Sequence, residues 1–155
     1  MSMPTPVAVA DLITDLIGRD VTAKTATPAP LAAKGRTVAV YRDAEHMLKA
    51  AVCCDLAVGG SFGAAMTVMP VGLVDDSVKA GKLEPALSEN LYEVFNVLSA
   101  VFPKAGMPRL ILRGVHADGN VDPEVAGLLA KPPHRIDMDV TVAGYRPGKM
   151  SFAVL

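Results

Sequence analysis

The chain contains no tryptophan, and aromatic residues make up only 5% of its 155 residues. With so few rings, alanine, valine, leucine and methionine must fill the interior. Cysteine is scarce as well: Cys53 and Cys54 are the only two, adjacent in an apolar run. Two neighbouring thiols exclude a framework of disulfide staples, and a metal site would need further ligands close by. They read as buried, reduced thiols of a cytoplasmic protein. There is no surplus of positive charge, since 15 Lys and Arg stand against 16 Asp and Glu, a formal net charge of −1. Without a basic cluster to neutralise phosphates, nucleic acid is excluded as the main partner. No run of about 18 apolar residues exists, which excludes a membrane-spanning helix. The opening MSMPTPVAVADL lacks a basic segment followed by an apolar core, so no leader peptide is expected.

What the chain has in quantity is aliphatic surface. Hydrophobic residues reach 51%, eight of them Met, and the mean hydropathy is +0.35. That points to extensive burial and to self-association, most simply as a symmetric dimer; the sheet edge of a C-terminal hairpin ending at Leu155 is one candidate interface. At this length a single domain spanning residues 1–155 is expected.

Residues 1–6, rich in Ser, Thr and Pro, read as a mobile tail. Val9, Leu12, Ile13, Leu16 and Ile17 have helical spacing, with Gly18 as the stop. Thr22 to Ala33 reads as a loop with an edge strand, and Thr37 to Arg42 alternates as a strand should. The apolar runs Met47–Val58 and Ser61–Met69, joined by Gly59-Gly60, suggest a central hairpin. Gly63 then marks a close approach of neighbouring backbone, and Asp55 faces the wet side of the sheet. Val71–Lys79 forms a short helix, Arg109–Val115 a strand and Ala117–Asn120 a turn. Asp122-Pro123-Glu124 opens another short helix through an N-cap and a first-position proline. Ile136, Met138, Val140 and Val142 alternate with polar residues, then pass through Arg146-Pro147-Gly148 into Met150, Phe152 and Val154. This is an antiparallel hairpin with one wet face. The class is α+β: helices laid over a mostly antiparallel sheet.

The most informative segment is Glu84–Phe102, EPALSENLYEVFNVLSAVF. Each helical residue advances about 100° around the axis. Leu87, Leu91, Val94, Phe95, Leu98 and Phe102 therefore share one broad apolar face. Glu89, Glu93, Asn96 and Ala100 fall opposite, with Tyr92 and Val97 at the rim. Glu93 and Asn96, three residues apart, point the same way into solvent.

Several enzyme signatures are missing. Gly59-Gly60-Ser61-Phe62-Gly63 is not followed by the Lys of a phosphate-binding loop. His46, His116 and His134 are far apart and form no metal-type pair, so no metal site is expected. The aliphatic neighbours of Cys53 and Cys54 argue against a thiol nucleophile. The pair Glu93 and Asn96 remains. A carboxamide can donate to and accept from one water and hold it in line for attack. A carboxylate one turn away can pair with a partner's Lys and fix its orientation. On spacing alone the same two residues also suit an ordinary solvated face.

The run Glu93-Val94-Phe95-Asn96-Val97-Leu98-Ser99-Ala100 resembles the E-x-x-N helix of the CheC/CheX/FliY chemotaxis phosphatase family. From about Val38 onward the order of elements is similar too, and a single motif resembles the CheX arrangement. The resemblance implies a phosphatase acting on the aspartyl phosphate of a CheY-type response regulator. Glu93 would contact the regulator's Lys, and Asn96 would position the hydrolytic water. Glu89, Tyr92, Val97 and Ala100 would line the contact. The chain would carry no cofactor of its own, the Mg²⁺ belonging to the phosphorylated partner. The chain departs from the pattern in three ways: Glu89 replaces the Asp or Ser four residues before the acid, Ser99-Ala100 replaces a small Gly, and Pro103 follows Asn96 by only seven residues. A non-catalytic CheX-like binding module is the alternative.

Overall fold

Strands whose apolar residues alternate must each lay one face on a core. A computed structural model describes residues 3–31 and 33–155 of the chain. Its strands are β1 (Val21–Thr25), β2 (Thr37–Arg42), β3 (Leu48–Cys54), β4 (Ile111–Ala117), β5 (His134–Val142) and β6 (Gly148–Val154). They form one antiparallel sheet in the order β1-β5-β6-β3-β2-β4.

The two faces of that sheet have different covers. Ala39, Tyr41, Val52, Met138, Met150 and Phe152 turn toward α1 (Pro6–Ile17), α2 (Leu56–Met66), α4 (Pro85–Leu98) and α5 (Val101–Lys104). The alternate residues Val38, Val40, Ala51, Cys53 and Ala153 meet Leu31 and the Val125, Leu128 and Leu129 side chains of α6 (Pro123–Ala130). Helix α3 (Val71–Ala80) packs on the other helices, Val74 against Ala64 and Leu87. The fold is α+β, as the element order predicts. Among the described residues no helix is long and apolar enough to cross a membrane.

Four expectations are corrected. The first is the central hairpin: after β3 the chain turns into a helix, not a second strand. Asp55 does not face the wet side of the sheet but caps α2, its Oδ1 accepting the Val58 N–H at 2.9 Å. A wholly apolar run carries no period that separates helix from strand. Here helix packing outweighs the poor helix propensity of glycine. A β-carbon at Gly59 would lie 3.1 Å from Leu91 Cδ2, and one at Gly60 would lie 3.0 Å from Val74 Cγ1.

Second, residues 3–6 are no tail. Pro4 is buried, Met3 packs on the core, and Thr5 Oγ1 accepts the Ala8 N–H to cap α1. The part of that expectation falling on residues 1 and 2 lies outside the described residues. Third, the long helix ends at Leu98 and a short one resumes at Val101, with Pro103 inside its first turn, where no backbone N–H is required of it. Phe102 is buried all the same. Fourth, β6 lies between β5 and β3, so the C-terminal hairpin offers no sheet edge for self-association. The edges are β1 and β4.

Candidate functional site

Helix α4 starts with Pro85 in its first position and buries Leu87, Leu91, Val94, Phe95 and Leu98. That is the face the spacing dictates. The opposite side, with Glu89, Glu93 and Asn96, is exposed. Tyr92 is 48% exposed on one flank and Val97 is half-buried on the other. Ala100 is also exposed, but it sits in the break after α4, at the N-cap of α5, and so leaves the helical face assigned to it. Glu93 takes part in none of the ion pairs among the described residues. A free carboxylate and a carboxamide one turn apart thus face solvent on a helix whose other side is locked into the core.

Two side chains that sequence reasoning passed over do much of that locking. Asn90 Nδ2 donates to the Gly63 carbonyl at 2.9 Å and to Thr67 Oγ1 at 3.0 Å, tying α4 to the end of α2. Tyr41, wholly buried on β2, donates its hydroxyl to the Phe95 carbonyl at 2.5 Å. Both had a signal. Asn90 lies at the border between the apolar face and the polar stripe, where a polar group meets a neighbouring helix. A Tyr in the otherwise apolar run Thr37–Tyr41 must find a partner for its hydroxyl once buried.

The remaining candidates are not assembled into a site. Burial pushes the Cys53 thiol up to about 12, against the opposing pull of Arg36 and Arg135. Cys54 is raised as well, also chiefly by burial. Neither is a thiolate near neutral pH. Among the described residues no three His, Cys, Asp or Glu side chains are grouped to hold a metal. Arg135 forks onto Asp137 at 2.9 Å through both Nε and Nη2, and Ser151 Oγ donates to the same carboxylate at 2.5 Å. Arg135 also donates to the Ala29 carbonyl, so this partly buried cluster fastens a loop over the sheet. A cavity of about 200 Å³ beside the first turns of α4 is lined by Leu56, Leu83, Leu91 and Val115, with Ser88 one turn before Tyr92.

No family model and no curated protein matches the sequence. Solved structures do match. FliM from H. pylori, in its complex with SpeE, superposes with a TM-score of 0.61 at 7% identity, over 96% of this chain and 80% of that one. FliY from Thermotoga maritima gives 0.55 at 13% identity, over 94% and 81%. CheX from Borrelia burgdorferi, in a complex with CheY, BeF₃ and Mg²⁺, gives 0.51 at 8% identity, over 94% and 92%. The chain has the CheC/CheX/FliY-type fold. At these identities the likeness is one of fold, and it extends over nearly the whole chain rather than over the motif helix alone. Within the CheX-like fold, the exposed pair Glu93 and Asn96 belongs to a helix packed firmly on the sheet.

Proposed function

We propose that this CheX-like protein docks a CheY-type receiver domain through α4 and hydrolyses its aspartyl phosphate. The observation that carries the reading is the shared exposure of Glu93 and Asn96, one turn apart on a helix anchored by its opposite face. The complex of the B. burgdorferi CheX with CheY supports the class of partner.

In this reading Glu93 accepts from a Lys ammonium of the receiver and fixes its orientation. Asn96 holds a water through its carboxamide, one N–H donating and the oxygen accepting. The water oxygen attacks phosphorus while the bond to the aspartyl oxygen breaks. Inorganic phosphate leaves and the receiver's carboxylate is regenerated. Mg²⁺ in the receiver's own site neutralises the phosphoryl oxygens. Glu89, Tyr92, Val97 and Ala100 frame the contact. Asn96 needs no shifted pKa for its task, because it moves no proton of its own.

A second reading keeps the docking and drops the turnover. It is favoured by Glu89, which occupies a position where the family pattern has Asp or Ser. The two separate in one experiment: CheY-type receivers phosphorylated with acetyl phosphate are followed for phosphate loss with and without this protein. Faster loss supports the phosphatase. Binding without acceleration leaves the docking module, and neither result leaves a solvated helix face.

A further inference from the structure

The last turn of α4 departs from a regular helix at the motif itself. The Ser99 N–H, which α-helical geometry would direct to the Phe95 carbonyl, turns to the Asn96 carbonyl at 3.3 Å. That carbonyl also accepts from Ser99 Oγ at 2.8 Å, and the Ala100 N–H goes to Val97 at 3.0 Å. The turn is wound tighter than the rest of the helix. The Phe95 carbonyl, in a residue with no exposed surface, is left to find another donor.

Tyr41 provides that donor from β2, across 54 residues of sequence. Its ring also packs on Phe102 of α5, centroids 5.1 Å apart, and Phe102 packs in turn on Phe152 at 6.2 Å. One side chain therefore touches both helices on either side of the break. The carbonyl it holds belongs to the peptide unit whose nitrogen is that of Asn96. Burial, followed by the Cys54 thiol, raises the phenol's pKa well above its ordinary value, so the hydroxyl stays a donor at neutral and alkaline pH.

We infer that Tyr41 is a positioning residue for Asn96: its hydroxyl sets where α4 stops and thereby the direction in which the carboxamide leaves the helix. The kinetic part of this inference rests on the phosphatase reading; the anchoring itself does not.

The test is Tyr41→Phe, which keeps the ring in the core and removes only the hydroxyl. The variant should lose about tenfold or more in the turnover of phosphorylated receiver, since small misplacements of a water-holding group are felt strongly in the transition state. Its Kd for a receiver loaded with beryllofluoride should match wild type. The carbonyl ¹³C shift of Phe95 and the hydrogen exchange of the Ser99 amide should both change. Phe152→Leu serves as the comparison: it loosens the aromatic stack but keeps the hydroxyl, and should retain wild-type turnover. Wild-type turnover in Tyr41→Phe, or an equal loss in Phe152→Leu, overturns the inference. If the wild-type protein never speeds phosphate loss, the proposed function falls and the anchoring is judged by NMR alone. An unchanged Phe95 shift with unchanged Ser99 exchange then overturns it, and a change in both upholds it.

Discussion

Gly63 on α2 faces the backbone of Leu87 on α4 so closely that a β-carbon there would lie 2.9 Å from Leu87 Cα. The same glycine gives its carbonyl to Asn90, so the close approach and the polar tie occur together. Gly63→Ala cannot be accommodated by a side-chain shift, because the obstructing atoms are backbone. It should push α4 outward and cost roughly 1–3 kcal/mol, the range for overpacking. Chemical denaturation of the variant measures this, and a neutral or stabilising result would show that the two helices separate freely.

Asn96→Ala and Glu93→Ala should fail differently if the phosphatase reading holds. Loss of the carboxamide acts in the transition state, so turnover should fall on the order of a hundredfold while receiver binding is largely kept. Loss of the carboxylate should weaken binding as well, because it removes the group that pairs with the receiver's Lys. Glu89→Ala should do less than either. Titration calorimetry beside single-turnover dephosphorylation separates the two terms. Wild-type values in both single variants would reduce the stripe to solvated surface.

Val68 takes a left-handed conformation, φ 55°, just after α2, where its N–H bonds to Ala65 and the next N–H to Ala64 at 2.8 Å. Helices commonly put glycine at this position, and a branched β-carbon is strained there. The side chain is 72% exposed and gains little from burial. Val68→Gly should raise stability by roughly 1 kcal/mol, the relief of left-handed strain less glycine's greater unfolded-state entropy. A lower thermal midpoint would mean that the valine makes contacts worth more than its strain.

The Asp137 carboxyl is subject to opposing effects. Burial works to raise its pKa, but the Arg135 fork and the Ser151 hydroxyl outweigh it and hold the group below the ordinary carboxylate value. A depressed folded pKa means the unfolded chain binds the proton more readily. The resulting stability is complete above the unfolded value of about 4 and is lost as pH falls through the folded one. Asp137→Asn should therefore cost on the order of 2 kcal/mol at pH 7. The gap from wild type should narrow below about pH 4. A gap of constant size down to acid pH would mean that the charge of Asp137 contributes nothing.

The sequence alone determined those features that depend on neighbours along the chain. Spacing at three and four residues sets the inner face of α4, and with it the exposure of Glu93 and Asn96. Alternation at two residues sets the inner face of β5, and Asp122 with Pro123 declares the start of α6; the wet face expected of the C-terminal hairpin is instead covered, with Asp137, Ser151 and Ala153 buried. The motif was legible for this reason: its two residues are one helical turn apart, and a helix keeps them so whatever it packs against. Tertiary structure decided the rest. Leu56–Met66 is apolar all round, so only contact with α3, α4 and the sheet makes it a helix. The end of α4 is set by Tyr41, and its flank is tied through Asn90 to Gly63, 27 residues away. Such bonds join segments with no local pattern in common, and only the folded chain brings their donors and acceptors together.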